Sequence, residues 1–372
     1  MRKLAYIETI KSLTPIPNAD SIECATILGW EVVVKRGDFK VGDKVIYCEI
    51  DSVLPELPPF EFLRQKKFRI KTVKLRGQVS QGIIFPISTI KEVTPEFPIL
   101  SLKVGDDVTG ALKITKYDPE AELDVAAPDQ KKSWIANKYS FLKWKLFGIK
   151  PKTKKDSFPE DCPKTDETRV QNMGRLLYEQ AGKPVYITEK CEGTSTTYVH
   201  RRTSHWLSWL LGDGSVFQAC SRNQIVYDSR NGGDTTHHSV RMAEKYNIAE
   251  KLKKLNRNLC VQGEIIGPKV QGNIYKLPEL EFRAFLIFDL DNKCYVSYDE
   301  FISLTKELEL LTVPILDTQA TVQNSIKYYV ELSKGKSKIN PSVLREGIVI
   351  RSLTENFSFK SINPDYLLGQ KD

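Results

Sequence analysis

The residues of this sequence best suited to chemistry are Lys190, Glu192 and Gly193. They follow residues 185–187, an apolar run that is typical of a buried strand. A lysine at a strand end can attack a nucleotide phosphate when its amine is neutral, and a carboxylate two residues away can hold a metal ion beside it. Because these residue types are common, a salt-bridged lysine before a turn glycine is the alternative interpretation at this point.

Further residues of matching chemistry follow Lys190 along the chain. A glutamate lies inside one apolar run, where a carboxylate is seldom left unpaired. Each of these residues alone also has an ordinary explanation in the core or on the surface. Together they supply carboxylates for a metal or a ribose, an aromatic ring for a base, and cations for phosphates. The additional candidates, in chain order, are Arg222, Glu264, Phe285, Glu346 and Lys360.

The second half of the chain must position these residues, and its pattern mixes helices with strands. The pattern predicts helices at residues 167–181, 239–255 and 299–311 and strands at residues 184–188, 259–266, 282–289 and 347–352. About 210 residues are enough for one hydrophobic core. We therefore expect an α+β domain over residues 161–372 that carries the candidate site.

Residues 1–112 have a different pattern, in which turn-forming residues separate short strand-like runs. This pattern favours a small closed barrel, and the expected fold is an OB fold. Cations alternate with apolar residues near residues 66–76, so on a strand they would share one barrel face and could track nucleic-acid phosphates. A solvated strand face is the alternative. The candidate nucleic-acid contacts are Lys67, Arg69, Lys71, Lys74 and Arg76.

Residues 113–160 lie between these two parts and show no clear periodicity. They contain several prolines and a basic run at residues 150–155, so they are expected to form a linker. Aromatic and basic residues alternate irregularly over residues 131–147. These side chains could contact nucleic acid or pack on a domain surface, and the sequence leaves both possibilities open.

The composition limits the class of protein. The 372 residues carry a net charge of +8, which modestly favours an anionic partner. Seven cysteines without a C-x-x-C pair indicate reduced thiols in an intracellular protein and argue against a disulfide framework or a zinc site. No apolar run reaches the roughly 18 residues that span a membrane. Since no feature requires a dimer, we expect an intracellular monomer without a membrane partner.

The ordered candidates resemble the motifs of the covalent nucleotidyltransferases, which include ATP-dependent nucleic-acid ligases and mRNA capping enzymes. DNA ligases and capping enzymes place an OB domain after the last motif, whereas only twelve residues follow Lys360 here and the barrel-like part comes first. This order is similar to that of RNA ligases with an N-terminal OB domain, sometimes called type 5. The segments that carry this resemblance are residues 17–23, 39–43, 49–55, 69–77, 158–172, 190–193, 220–223, 261–267, 282–289, 345–351 and 358–363.

The resemblance implies an ATP-grasp-like ligase domain and a reaction in three steps. Lys190 would attack the α-phosphorus of ATP, AMP would pass to an RNA 5′-phosphate, and an RNA 3′-hydroxyl would displace AMP. Such a ligase serves RNA repair and could also accept an RNA–DNA hybrid or a nicked duplex. A divalent cation and nearby basic residues would lower the pKa of the lysine.

The resemblance also implies a role for each candidate residue. Glu192 and Glu346 would hold Mg²⁺ or Mn²⁺, mainly through its waters. Glu264 would assist at the metal or bind the ribose. The remaining nucleotide contacts would come from Arg222 on the ribose or phosphate, Phe285 on the adenine, the backbone of Glu189 at the adenine edge, and Lys360 on the α-phosphate.

Two departures from the family pattern weaken these expectations locally. The last motif of related ligases often contains a second lysine, but here that position is Ile362, so a second cation would have to come from elsewhere. The segment at residues 201–216 looks longer than usual. The alternatives that stay open are a nick-sealing ligase that accepts DNA, a capping-like guanylyltransferase, and a nucleic-acid-binding protein with a decayed transferase domain.

Overall fold

The computed structural model describes residues 3–117, 157–202 and 215–369. The first range is built mainly from strands, and the later ranges combine helices with strands. An all-β N-terminal part followed by a mixed α/β part is therefore confirmed. Residues 118–156 of the predicted linker and residues 203–214 lie outside the described ranges, whereas Thr115–Lys116, at the start of the predicted linker, form a strand that pairs with Ser52–Val53 of the N-terminal part.

The N-terminal strands form two three-stranded antiparallel sheets and two shorter pairs. In chain order they are β1 (Ala5–Thr9), β2 (Ser12–Pro15), β3 (Ile22–Ile27), β4 (Trp30–Lys35), β5 (Lys44–Cys48), β6 (Ser52–Val53), β7 (Val73–Leu75), β8 (Gln78–Ser80), β9 (Ile83–Pro86) and β10 (Thr115–Lys116). The sheets have the orders β1-β5-β9 and β2-β3-β4, while β7 pairs with β8 and β6 pairs with β10. Alternate residues of β4 are buried, as expected for a strand with one face on the core. The helix α1 (Thr89–Val93) also packs on this core.

The basic segment of the N-terminal part does not form the predicted strand. Residues Pro58–Lys66 form a 3₁₀-helix that ends at Lys67, where φ is 50°. Lys74 lies in the short strand β7, and Arg76 lies in the turn before β8. The prediction that these cations alternate along one barrel face is therefore wrong. The physical reason is the backbone at Lys67, Phe68 and Arg76, which is left-handed with φ of 50°, 56° and 49° and therefore interrupts an extended strand.

The strands of the second part form two sheets that line one cavity. In chain order they are β11 (Pro184–Lys190), β12 (Thr194–Arg201), β13 (Val216–Cys220), β14 (Ile225–Asp228), β15 (Gly232–Gly233), β16 (Leu259–Ile266), β17 (Glu281–Asp289), β18 (Cys294–Tyr295), β19 (Leu311–Thr312), β20 (Ile315–Thr321), β21 (Gly347–Ser352) and β22 (Ser358–Ile362). The first sheet has the order β20-β11-β21-β22, and the second has the order β15-β14-β13-β12-β16-β17-β18 with β19 beside β17. The chain crosses between the sheets directly after Lys190, which places this lysine at their junction.

The helices of the second part are shorter than predicted. They are α2 (Gly174–Glu179), α3 (His238–Lys245), α4 (Ile248–Leu255), α5 (Tyr298–Glu307), α6 (Ile326–Ser333) and α7 (Pro364–Gly369). The predicted helix at 239–255 is split because Asn247 is left-handed, with φ of 51°, a conformation that asparagine tolerates. The predicted helix at 167–181 begins late, since Arg169 pairs with Lys360 as an extended strand would. In the described part of the chain, no helix is long and apolar enough to cross a membrane.

A segment before α2 joins the second part to the N-terminal strands. The side-chain oxygen of Asn172 accepts a hydrogen bond from the indole N–H of Trp30 at 2.6 Å, and its amide nitrogen donates to Glu49 at 2.7 Å. Trp30 and Glu49 are buried. The guanidinium of Arg169 lies 3.3 Å from Asp51. Since these hydrogen bonds and this ion pair cross the junction, the two parts hold each other in place.

The cysteines differ from the sequence-based expectation of reduced thiols. Cys162 and Cys260 form a disulfide, so that expectation is wrong for this pair. The carbonyl of Pro163 accepts a hydrogen bond from Gln262 at 2.7 Å, which lays the segment before residue 166 against β16. The two cysteines are 98 residues apart in sequence, and their spacing could not reveal this contact.

Candidate active site

Lys190 ends β11 and faces a carboxylate from the neighbouring strand. Its Nζ lies 2.7 and 2.8 Å from the two oxygens of Glu346. The strand register explains the contact, because Lys190 pairs with Gly347 and Glu346 directly precedes that residue. Gly347 is also required sterically, since a Cβ there would lie 2.3 Å from the carbonyl oxygen of Ser361 in β22. The structure thus brings the predicted nucleophile and one predicted metal ligand into direct contact.

The surrounding carboxylates determine the charge of Lys190. Burial alone would lower the pKa of its amine, but Glu346 and then Glu264 outweigh burial and raise the pKa above its ordinary value. Neighbouring basic residues were expected to lower the pKa of Lys190, whereas the neighbouring carboxylates raise it. At neutral pH the lysine is an ammonium, which must lose a proton before it can act as a nucleophile.

The loop after Lys190 is held tightly against β16. The backbone N–H of Glu192 donates to the hydroxyl of Tyr275 at 2.8 Å. A Cβ on Gly193 would lie 2.3 Å from the carbonyl oxygen of Ile265 and 2.8 Å from the side chain of Glu264. Only glycine permits this approach, which brings the carboxylates at positions 192 and 264 to the same cavity.

The carboxylates are suited to a hydrated divalent cation. One oxygen of Glu192, Oε2, is buried and has no hydrogen-bond partner in the described residues, and burial and then Glu346 raise the pKa of this side chain against the opposing effects of Tyr366 and Lys190. Within the described ranges, no group of three or more His, Cys, Asp or Glu residues is arranged to hold a metal directly. Mg²⁺ usually keeps several waters and binds through one or two carboxylates. An incompletely paired carboxylate beside a second one fits such an ion.

Phe285 lies on β17 and lines the same cavity. Its ring is half-buried, and the guanidinium of Arg351 lies 5.6 Å from the ring centroid. Arg351 is itself fixed by a hydrogen bond to Thr188 at 3.1 Å. A positioned aromatic ring at a cavity wall can stack on a nucleotide base.

Three cations that line the same cavity gather around one carboxylate. Asp166 lies 3.2 Å from Lys360, 3.0 Å from Lys116 and 3.5 Å from Arg222. Burial would raise the pKa of Asp166, but these three cations hold it well below its ordinary range. Lys116 comes from β10 of the N-terminal part, so the cluster contains cations from both parts.

Glu189 is more deeply buried than expected for a nucleotide contact. Its carboxylate accepts a hydrogen bond from the backbone N–H of Lys338 at 2.7 Å, and its own N–H donates to the carbonyl of Pro314 at 2.8 Å. Both groups are therefore used within the protein. A contact between its backbone and an adenine amine would fall to its carbonyl oxygen, and this role stays a prediction.

Of the five basic residues predicted to contact nucleic acid, one lines the cavity. Arg69 lines the cavity, where it pairs with Asp51 at 2.7 Å and lies 3.5 Å from the ring centroid of Tyr117. The other four do not contribute to the lining of this cavity, which is drawn from the described residues alone. They are Lys67, Lys71, Lys74 and Arg76.

Several residues that make contacts in or around this cavity had no usable signal in the sequence. Lys116 is an isolated lysine, and Tyr275 lies in a loop without periodicity. Asp166 belonged to a segment that resembles the ligases, but no role followed from its position. All three depend on contacts between residues that are far apart in sequence.

One cavity of about 1470 Å³ contains these groups, which include Lys190 with its neighbouring carboxylates and the cations around Asp166. A strand-end lysine in contact with a carboxylate, with further carboxylates and cations in the same cavity, is the arrangement expected of a covalent nucleotidyltransferase. Sequence comparison narrows the class. Residues 183–362 match the RNA ligase family model, and residues 4–87 match an OB-fold domain model.

The structure is similar to solved structures of Naegleria gruberi RNA ligase. A glutamate variant of that ligase with ATP and Mn is 33% identical, covers 100% of both chains and gives a TM-score of 0.79. A lysine variant with AMP and Mn is 33% identical, also covers 100% of both chains and gives 0.78. The ligase with PPi is 33% identical, covers 99% of this chain and 98% of that chain, and gives 0.77.

The chain belongs to the RNA ligase family. This confirms the expected family, with an OB-fold domain ahead of the ligase domain. The alternatives that stayed open from the sequence are not favoured. No curated protein matches the chain.

Proposed function

We propose that the protein joins RNA ends in an ATP-dependent reaction that passes through a covalent lysine–AMP. The observation that carries this proposal is the contact of Lys190 with Glu346, at 2.7 and 2.8 Å, in a cavity that is also lined by the cations Arg222 and Lys360. ATP is the proposed nucleotide because the related Naegleria ligase is solved with ATP and Mn and with AMP and Mn. RNA is the proposed partner because the chain belongs to the RNA ligase family. The proposal includes RNA ends that are held in an RNA–DNA hybrid or in a nicked duplex.

In the first step, a bond forms between Nζ of Lys190 and the α-phosphorus of ATP. The bond from that phosphorus to the oxygen shared with the β-phosphate breaks, and pyrophosphate leaves. The ammonium must first lose a proton, and Glu346 is near enough to accept it at 2.7 Å. Lys360 lies in the same cavity and would neutralise the charge that develops on the transferred phosphate.

The proposed metal ligands are Glu192 and Glu346, with Glu264 assisting. A bound Mg²⁺ or Mn²⁺ would polarise the α-phosphate and oppose the effect of the carboxylates on the lysine pKa. The buried free oxygen of Glu192 is available for a hydrated ion. Glu264 is held beside Gly193 by the tight packing of the loop, so it can reach either the ion or the ribose.

The nucleoside would lie between the two sheets. Phe285 would stack on the adenine, and the backbone of Glu189 would contact its edge. Arg222 reaches the cavity from the turn after β13 and would contact the ribose or the phosphates. Since this arginine is about half exposed, with 48% of its side chain accessible, it can move toward a ligand without a large loss of packing.

The later steps reuse the same centre. An oxygen of the RNA 5′-phosphate attacks the phosphorus of the lysine–AMP, the P–N bond breaks, and a 5′–5′ pyrophosphate bond forms. The 3′-hydroxyl then loses its proton and attacks the 5′-phosphate. This forms the phosphodiester bond and releases AMP.

The test is to incubate the protein with α-labelled ATP and Mg²⁺ or Mn²⁺ and to detect labelled protein. Lys190→Arg keeps a cation beside Glu346 but provides a poor nucleophile, so it should abolish the adduct. The matched control is Lys183→Ala, because this lysine lies just before the same strand and pairs with Glu355 at the surface. Absence of an adduct in the wild-type protein with any nucleotide would refute the proposal.

The same labelling assay identifies the nucleotide, and a joining assay identifies the nucleic-acid ends that the protein accepts. An adduct from GTP but not ATP would instead indicate a capping-like enzyme. Joining is then measured on nicked duplexes in which the strand with the 3′-hydroxyl is either RNA or DNA. Equal joining of both would contradict a preference for RNA ends.

A further inference from the structure

The loop that carries Glu192 lies between two ladders of strand pairing. Pairing of β11 with β21 ends at Lys190, and pairing of β12 with β16 begins at Thr194. The backbone N–H of Glu192 is satisfied by a side chain instead, since it donates to the hydroxyl of Tyr275 at 2.8 Å. Because Glu192 is a proposed metal ligand, this bond holds the backbone from which its carboxylate projects.

Tyr275 is itself firmly held. It is 2% exposed and belongs to a buried cluster that also contains Cys191, the residue after the nucleophile. Its carbonyl accepts a hydrogen bond from the side chain of Asn340 at 2.9 Å. Asn340 lies in the segment that leads into β21 and Glu346. Tyr275 therefore ties the loop of Glu192 to the segment after β16 and to the segment before β21.

The segment that presents Tyr275 has an unusual backbone. Three of its residues adopt left-handed conformations that side chains with a Cβ rarely tolerate. They are Lys269, Gln271 and Lys276, with φ of 64°, 46° and 53°. The side chain of Asn273 closes the turn, because it donates to the carbonyl of Leu277 at 3.1 Å and accepts from its N–H at 3.2 Å. Strained backbone of this kind persists where contacts fix it, and it is concentrated at functional sites.

We propose that Tyr275 is a positioning residue for the divalent cation, because its hydroxyl sets the place of the metal ligand Glu192. This inference rests on the proposed ligase function, in which Glu192 and Glu346 hold the ion. Tyr275 is not among the described residues that line the cavity, so it acts through Glu192 and not on the substrate. Groups that orient metal ligands in this way typically contribute roughly 10–100-fold to metal affinity or activity.

The competing explanation is structural, because a buried hydroxyl that accepts a backbone N–H could serve only to stabilise the fold. The chain offers a matched case for this explanation. Tyr329 is 1% exposed, and its hydroxyl accepts the backbone N–H of Gln323 at 3.0 Å. This tyrosine belongs to the core beneath the first sheet and does not line the cavity formed by the described residues. A purely structural role would make the two tyrosines equivalent.

The experiment compares Tyr275→Phe with Tyr329→Phe, since each variant removes one hydroxyl and keeps the ring. Mn²⁺ is titrated into protein saturated with AMP, and free Mn²⁺ is measured by electron paramagnetic resonance. The dissociation constant for Mn²⁺ should rise about ten-fold or more in Tyr275→Phe. It should stay within two-fold of the wild type in Tyr329→Phe.

Single-turnover labelling with α-labelled ATP is the second measurement, with Mn²⁺ varied in excess over ATP. Tyr275→Phe should need about ten-fold more Mn²⁺ for its half-maximal rate and should approach the wild-type rate at saturating Mn²⁺. A loss of stability alone would lower the rate by the same factor at every Mn²⁺ concentration.

Circular dichroism checks the folding of each variant. If Tyr275→Phe does not fold, Asn340→Ala takes its place, because it releases the carbonyl of Tyr275 and keeps the hydroxyl. Loss of this one hydrogen bond should raise the dissociation constant for Mn²⁺ about three-fold or more.

The outcomes separate this inference from the proposed function. If the wild-type protein forms no labelled adduct, the ligase proposal fails, and this inference fails with it. If the adduct forms and the folded variant at position 275 or 340 binds Mn²⁺ within two-fold of the wild type, only the role of Tyr275 is overturned. Equal losses of Mn²⁺ affinity in Tyr275→Phe and Tyr329→Phe would overturn it in favour of the structural explanation. An adduct without measurable binding of Mn²⁺ beside AMP would overturn it as well.

Discussion

Gly193 offers a sharp test of how the site is built, because its role is steric. A Cβ at this position would lie 2.3 Å from the carbonyl oxygen of Ile265 and 2.9 Å from the side chain of Ile266. Both neighbours belong to the buried strand β16, so they cannot move aside easily. Ordinary van der Waals contact begins near 3.4 Å, so the loop would have to shift by about 1 Å.

The shift would act on the residues just before the glycine. Lys190 and Glu192 lie within three positions of it, and a misplacement of about 1 Å at a reacting group can cost about 100-fold in rate. We therefore expect Gly193→Ala to slow lysine adenylylation about 100-fold. Since overpacking costs about 1–3 kcal/mol, the variant should still fold.

The assay is single-turnover labelling with α-labelled ATP, with circular dichroism as the check on folding. The matched control is Gly110→Ala, because a Cβ there meets no atom within 4 Å. If folded Gly193→Ala reacts within two-fold of the wild type, the loop tolerates a side chain. The steric argument for Gly193 would then be wrong.

Two further predictions concern the ion pair and the domain junction. Glu346→Gln removes the carboxylate that contributes most to the raised pKa of Lys190, so this pKa should fall. NMR titration of labelled lysines would measure the pKa, with Lys183 as the reference. An unchanged pKa of Lys190 would contradict the role of Glu346. Asn172→Ala removes the acceptor of the buried indole N–H of Trp30 and one of the donors to Glu49, so it should lower the free energy of unfolding by about 1–3 kcal/mol. Chemical denaturation would measure this loss against the exposed control Asn231→Ala, and equal stabilities would contradict it.

The elements that carry the central site were predictable because they are buried strands. Apolar runs identify β11, β16, β17 and β21, and the polar residues within or beside such runs stand out. Their order along the chain then matched one family. The direct contact of Lys190 with Glu346 was not predicted, because it depends on the antiparallel pairing of two strands that are far apart in sequence.

The periphery of the site was not predictable, because its residues do not lie in periodic, buried strands. Lys116 and Asp166 lie outside periodic segments, and their contact depends on how two domains meet. In the basic segment, alternation suggested a strand, but left-handed backbone at Lys67, Phe68 and Arg76 interrupts it. A single residue also decided a helix boundary, because Asn247 adopts a left-handed conformation that no periodic pattern reports.

The protein pairs charges of opposite sign within its cavity. Lys190 is paired with Glu346, and Asp166 binds Lys360. A buried charge that loses its partner costs about 3–5 kcal/mol, so we expect ligand binding to exchange these partners rather than remove them. A nucleotide with its divalent cation would do so, because its phosphates would replace the carboxylate at the cations and Glu346 would hold the metal in place of the lysine. Lys190 would then be free to lose its proton, so that the nucleophile would become reactive only when its substrate is present.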